Sequence, residues 1–383
     1  MPEIIEKTLE PIKIQPINDQ PIGLFHSKKR PINQKLLLII CITASVIVGI
    51  IVSTIIWFNV QLSPVNSESI QLIKVIIASG STSDQIGKEL EKQSIIRSSS
   101  AFDIYLRVFS KSNILKAGTY RLSPAETVSD IVEHLSKGAV DQFSITFYPG
   151  ATLVDNYTKP GQKKYDVTTM LQNAGFTDQE IQSALNKTYD SPLFKDKPAA
   201  ADLEGYIYGE TYNFNTGATV EEIFKGVFAE FYDKIVENKL IASFASRGLN
   251  LYEGITLASI VQREANTADD QKQVAQVFYS RLAIDMALGS DVTYEYIADK
   301  TGVPRDTNLD SLYNTRRYPG LPPGPIAAPG ISALLAVAQP AKTDYLYFLS
   351  DSEGKLYFAY TLAEHEANIV NYCKEACVTS TAP

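Results

Sequence analysis

One carboxylate stands where helical periodicity calls for an apolar side chain. In the stretch Gly254 to Asn266 and just beyond it, Leu257, Ile260, Val261 and Ala268 recur at spacings of three, four and seven, and Glu264 falls on the same stripe. A carboxyl group among apolar neighbours resists ionisation, because desolvation penalises the charged form, so its pKa rises toward the range where it donates a proton near neutral pH. That is the environment an acid catalyst of glycosidic-bond cleavage needs. The same spacing also suits a glutamate at the rim of a core, paired to a cation, with Arg281 on the following helix as the partner.

Other chemistries find little support in the chain. His26, His134 and His365 lie far apart, which argues against a histidine metal site. His365-Glu366 opens like a zinc-protease motif, but Ile369 occupies the place of the second histidine. Nucleophile elbow, phosphate loop and dinucleotide fingerprint are all missing, so the chemistry expected is that of carboxylates without a cofactor or a metal. A net charge of −8 and the lack of a basic patch with interleaved aromatics argue against nucleic acid.

With 383 residues, 45% hydrophobic and 20% charged, the chain is long enough for two or more domains with substantial cores. Residues Leu36 to Phe58 carry no charge and are long enough to cross a hydrocarbon layer of about 30 Å as a helix. Lys28, Lys29, Arg30 and Lys35 precede this run and no Lys or Arg follows until Lys74, which predicts a cytoplasmic N-terminus and an exported remainder. Trp57 suits the outer interface. Cys41 lies inside the span; for Cys373 and Cys377 both a disulfide and two free thiols are compatible with the four-residue spacing.

The expected organisation is a cytoplasmic tail (1–35), the membrane helix (36–58), a polar linker (59–70), a small module (71–140), a larger domain (141–378) and a tail (379–383). In the module, a strand over Leu72 to Ala78, helices capped by Thr82 or Ser83 and by Ser99 or Ser100, a strand ending at Leu122, and a helix from Thr127 or Ser129 to Gly138 make an α+β unit. Residues 151–200 read as a polar, helical accessory lobe. Asp202 to Asn213 mixes aromatics and acids beside glycines, as sugar clefts do and as edge strands also do. Val220 to Val236 is an amphipathic helix with a packing role, and Leu288 to Tyr294 reads as a polar turn. From Pro319 to Gly330, five prolines and three glycines form a stiff loop, suited to the rim of a groove or to a connection into a helix over Ile331 to Ala338. Tyr345–Leu349 and Leu356–Tyr360 predict a hairpin, followed by a helix from Thr361.

Taken together, these segments resemble the MltG-type (YceG-like) endolytic murein transglycosylases. The resemblance rests on Leu257-Ala-Ser-Ile-Val-Gln-Arg-Glu264, Leu203-Glu-Gly-Tyr206 with Glu210-Thr-Tyr212, Leu288-Gly-Ser-Asp291 with Thr293, Tyr313-Asn-Thr315, Gly320 to Ile326 with Pro329-Gly330, and Asp344 to Phe348 with Glu364-His365. Departures are Gln262 where a second glutamate is common, Val292 for a proline, Tyr148-Pro149 for Pro-Glu, and Leu356 for a histidine.

The resemblance implies an α+β protein with one transmembrane helix, a LysM-like module over residues 71 to 140 and a larger α+β catalytic domain. It implies that Glu264 is the acid, cutting the bond between N-acetylmuramic acid and N-acetylglucosamine within peptidoglycan strands and leaving 1,6-anhydro ends. Glu204, Glu210, Asp291, Thr293 and Asn314 are the expected substrate contacts. Glycan strands, the membrane and peptidoglycan synthases are the expected partners. Competing expectations are a non-catalytic wall-binding scaffold and a lyase for a small chorismate-like molecule; an exported domain disfavours the second.

Overall fold

The computed structural model describes residues 34–138, 141–156 and 162–373. It divides into two units, residues 1–57 and 58–383. Within the first, helix α1 (Gln34–Leu62, continuing into the second unit) is apolar and exposed. Its stretch from Leu37 to Leu62 is long and apolar enough to cross a membrane.

In the second unit two apolar cores form, and the smaller belongs to residues 73–137. Strand β1 (Ile73–Ile77) pairs antiparallel with β2 (Gly118–Leu122), placing Val75 opposite Tyr120. Helices α2 (Ser83–Lys92), α3 (Ser99–Val108) and α4 (Val128–Lys137) bury Leu90, Phe102, Leu106, Ile131 and Leu135 against this ribbon. Thr82 and Thr127 close capping boxes on α2 and α4, whereas α3 is capped by Ser98, one residue before the expected serines. Residues 59–70 are not a free polar linker. Phe58 and Leu62 pack on the small core, and Arg97 donates to the carbonyls of Pro64 (2.6 Å) and Val65 (3.1 Å), so the segment leaving α1 is held by the module.

The larger core runs from residue 143 to the hairpin near the C-terminus. Strand β3 (Gln142–Thr146) pairs antiparallel with β4 (Thr211–Asn215). Between them lie α5 (Val167–Asn173) and α6 (Asp178–Leu185), whose Val167, Leu171 and Ile181 join the same core as α7 (Val220–Glu237) and α9 (Leu251–Glu264). Residues 151–200 therefore share the main core and do not form one of their own. The short α8 (Leu240–Ala245) brings Phe244 against Gly254 of α9 so closely that a Cβ there would lie 2.2 Å from the ring.

Helix α10 (Ala268–Ala283) and α12 (Ile331–Ala338) complete the packing around α9, and β5 (Tyr347–Ser350), β6 (Leu356–Ala359) and α13 (Leu362–Tyr372) form the final hairpin and helix. Cys373 is buried beyond α13; Cys377 lies outside the described residues.

Arg121 couples the two cores. It is almost wholly buried, its guanidinium lies over the rings of Phe143 (4.7 Å) and Phe176 (3.7 Å), and it donates to the carbonyl of Ala174. Lys74 adds an ion pair to Glu180 at 3.2 Å.

Candidate active site

Helix α9 starts at the Asn250 cap, where Asn250 and Glu253 close a capping box, and stops at Glu264; Ala265 is extended. Ala268 therefore belongs to the next helix, which Thr267 caps, and the apolar stripe ends at Val261, one turn before Glu264. Leu257, Ile260 and Val261 are fully buried. The carboxyl sits at the end of a helix rooted in the core, where its position is fixed yet one side opens outward.

That side is a cavity of about 790 Å³, walled by Glu264, Arg281, the turn Met286–Gly289, Asp291, Arg316, the β5–β6 hairpin and His365 of α13. Burial pushes the Glu264 carboxyl up to about 7, and Asp291 adds to the rise. A hydrogen bond from the Ser290 hydroxyl opposes it. Among the described residues Glu264 has no ion pair. Arg281 donates instead to the carbonyls of Leu346 (2.7 Å) and Leu288 (2.6 Å), which holds the hairpin and the turn in place.

Ser290 deserves its place by geometry. The polar turn expected over Leu288 to Tyr294 is the start of a helix, α11 (Asp291–Thr301), and Ser290 is its N-cap. Its hydroxyl makes no bond to its own helix, because it points at Glu264. Ser290 is in turn fixed through its backbone: its N–H donates to Thr315 Oγ1 (3.1 Å), and its carbonyl accepts from Thr293 Oγ1 (2.7 Å).

The expected substrate contacts separate into several groups. Asp291 faces the cavity and pairs with Arg316 at 2.6 Å. Thr293 and Asn314 are fully buried, so their polar atoms are used internally. Thr293 ties Ser290 to Thr315, and Asn314 Nδ2 donates to the carbonyls of Thr307 (2.9 Å) and Leu309 (2.8 Å), shaping the loop that carries Arg316. Glu210 is exposed before β4 and does not line the Glu264 cavity.

Glu204 is 4% exposed and lines a different cavity, accepting from the Leu153 N–H at 3.1 Å and the Tyr296 hydroxyl at 3.2 Å. The sequence places Arg281 near Glu264, but as a partner of its carboxyl, which it is not; nothing in the periodicity points to Ser290 or Arg316.

The proline-rich loop is packed against α9. Ser259 Oγ accepts from the Ile326 N–H (3.0 Å), Gln262 Oε1 accepts from the Gly330 N–H (2.9 Å), and the Tyr252 hydroxyl donates to the Pro323 carbonyl (3.0 Å). Gly205, at φ +82°, passes Pro325 so closely that a Cβ would lie 2.4 Å from it. The loop thus braces the helix that presents Glu264. Leu356 is an apolar part of the cavity wall, while His365 lies nearby, stacked on Tyr347 at 5.3 Å. Burial, aided by Arg281, pulls His365 below its usual range.

The fold and this cleft define a mixed helix and strand protein with an apolar N-terminal helix and two apolar cores, the larger of which holds a desolvated carboxyl at a helix end. The chain belongs to the YceG-like family, whose model matches residues 75–371. It is 33% identical over 330 residues to an endolytic murein transglycosylase of Bacillus subtilis, covering 83% of this chain and 88% of that protein. It is 31% identical over 335 residues to an endolytic murein transglycosylase of Streptococcus pneumoniae, covering 82% of this chain. The match spans 60% of the length of that pneumococcal relative. A crystal structure of a yceG-like protein from Listeria monocytogenes aligns with a TM-score of 0.47 at 29% identity, covering 78% of this chain and 99% of that one.

Proposed function

We propose that this protein is a membrane-anchored lytic transglycosylase that cuts peptidoglycan strands internally, with Glu264 as its acid and base. The observation that carries the reading is the Glu264 carboxyl, pushed up to about 7, without an ion pair among the described residues and facing a cavity of about 790 Å³. The printed names of the Bacillus and Streptococcus relatives support the same activity.

Protonated Glu264 donates to the glycosidic oxygen between N-acetylmuramic acid and N-acetylglucosamine, and the bond from that oxygen to the muramyl C1 breaks. The carboxylate left behind takes the proton of the muramyl C6 hydroxyl, whose oxygen bonds to C1 and closes a 1,6-anhydro ring. Glu264 ends the cycle protonated, and water does not enter. Ser290 suits this alternation, since its hydroxyl bond favours the charged form and so holds the carboxyl near the midpoint between donor and acceptor. The start of α11 beside it also favours the carboxylate.

Two-acid hydrolysis needs a second carboxylate at a defined distance. Asp291, the other carboxylate on the cavity, is engaged by Arg316, which suits substrate orientation better than nucleophilic attack. Residues 71–140 are read as the LysM-like, glycan-holding module. The α1 segment is read as a single-pass anchor with the N-terminus in the cytoplasm, so that the site works outside the membrane, ends the growth of nascent strands and meets peptidoglycan synthases there.

Mass analysis of products from purified glycan strands tests the proposal. Wild type yields 1,6-anhydromuramyl ends and Glu264→Gln, folded with the circular-dichroism spectrum of wild type, yields none. Equal product from both proteins overturns the catalytic role and favours a wall-binding scaffold.

A further inference from the structure

One titratable group on the Glu264 cavity has no part in the mechanism above, His365 of α13. The charged groups around it are otherwise engaged. Asp291 and Arg316 are paired with each other, and Arg281 is committed to backbone carbonyls. Tyr347, also on the wall, has the Arg281 guanidinium 5.4 Å from its ring centre and stacks on the imidazole with 24° between the planes. Those contacts restrict the way the imidazole faces.

Its two nitrogens have different surroundings. Nδ1 is buried and has no hydrogen-bond partner among the described residues. Nε2 has no partner among them either, yet it retains accessible surface, so it is the polar edge that meets the cavity. Burial and the Arg281 guanidinium hold the ring below its usual range, against a smaller opposing pull from Glu366, so near neutral pH it carries a single proton. A buried N–H without an acceptor is rarer and costlier than a buried lone pair without a donor, which places that proton on Nε2. His365 thus offers the cavity one donor and no acceptor.

The surface beside that donor is apolar. Leu362, His365 and Ile369 follow one another on α13 at spacings of three and four, and Leu349 of β5 and Leu356 of β6 line the same cavity. A sugar hydroxyl set there would lose one of its hydrogen-bond roles, because it both donates and accepts. An acetamido group matches the surface: its carbonyl accepts, its methyl covers apolar atoms, and its N–H points away from the carbonyl.

We propose that His365 is a specificity-determining residue, whose Nε2–H donates to the acetamido carbonyl of a sugar in the Glu264 cavity while the acetamido methyl lies on Leu349, Leu356 and Ile369. The proposal rests on the peptidoglycan reading for the identity of its ligand, in which both sugars carry a 2-acetamido group. It gives His365 a role in binding and none in proton transfer, which Glu264 performs alone. A sugar that has lost its acetyl group presents an ammonium instead, which accepts nothing from Nε2–H. The cavity thereby reads N-acetylation.

The test reads binding, with cleavage measured apart. Full-length Glu264→Gln protein in detergent is titrated with purified glycan strands freed of their peptides, and with the same strands chemically de-N-acetylated. The acetylated strands bind about tenfold more tightly, the worth of a hydrogen bond to a donor otherwise left in an apolar surface. His365→Phe keeps a ring against Tyr347 and removes the donor, so it loses that tenfold on acetylated strands and changes binding of the amine little. His365→Gln, whose amide nitrogen reaches the place of Nε2, restores most of the loss. Histidine labelled with ¹⁵N reports the contact without a substitution at His365: the free protein holds the proton on Nε2, and that N–H resonance moves with acetylated strands and not with the amine. Equal affinity for the two strands, a proton on Nδ1, an N–H resonance that ignores acetylated strands, equal losses on both strands in His365→Phe, or a glutamine variant no better than phenylalanine overturns the proposal. Anhydromuramyl product from wild type reports separately on Glu264: the preference without product sinks the catalytic reading alone, and product without the preference sinks the histidine contact alone.

Discussion

Glu264 and Glu204 are both pushed up to about 7, and in both burial is the first cause. Their surroundings differ. Glu204 lies within a chain in which Lys300 donates to Asp202 and to the Tyr296 hydroxyl, and Tyr296 donates to Glu204, with the Leu153 N–H on the other side. Glu264 has one side-chain donor, Ser290, and a large open cavity. A raised pKa reports desolvation; proton transfer also requires a path to the substrate and freedom from competing bonds. By those criteria Glu264 is the residue we propose as the acid, whereas Glu204 is bonded into the wall of a different cavity.

The contrast is broken most severely by Glu264→Gln, which lowers kcat by about 10²–10⁴, the usual share of general acid catalysis, while the fold is retained. Next comes Glu204→Ala, which leaves the Leu153 N–H and the Tyr296 hydroxyl without an acceptor. It destabilises the protein by roughly 2 kcal/mol in thermal unfolding, whereas Glu264→Ala frees only the Ser290 hydroxyl beside open space and costs less.

Ser290→Ala has a smaller effect, about a tenfold loss in kcat/KM. Because the Ser290 bond lowers the Glu264 pKa, its removal shifts the alkaline limb of the pH–rate profile upward; an unshifted limb gives Ser290 a structural role only.

The pH dependence of stability is the mildest test. A carboxyl at about 7 in the folded chain and 4.5 in its ordinary state binds more protons folded than unfolded between those values. Wild type therefore loses stability as pH rises from 4.5 to 7 and levels off above, and Glu264→Gln gains on it by on the order of 2 kcal/mol across that window. A constant difference between the two proteins contradicts the raised pKa.

Much of the scaffold was legible because it depends on local rules. Threonine and asparagine caps begin α2, α4, α7, α9 and α10, and apolar periodicity marks α7 and the hairpin that ends the chain. That Glu264 lies on a helix was legible for the same reason, but not that the helix ends there, since Ala268 fits the period and belongs to α10. Helix α11 was not, since Asp291-Val-Thr-Tyr has low helix propensity and tertiary bonds from Thr293 and Thr315 fix its start. Thr293 and Asn314 read as substrate contacts because they are polar; only the fold reveals that their partners are backbone atoms. Charge pairing across the chain, such as Asp291 with Arg316, has no periodic signature at all.

Selective ¹³C labelling of glutamate carboxyls, with resonances assigned through Glu264→Gln and Glu204→Gln, measures the central quantity directly. Two carboxyls titrate near 7, and only the Glu264 resonance responds to a bound, uncleavable glycan. A Glu264 resonance that titrates near 4.5, or that ignores the glycan, contradicts the account.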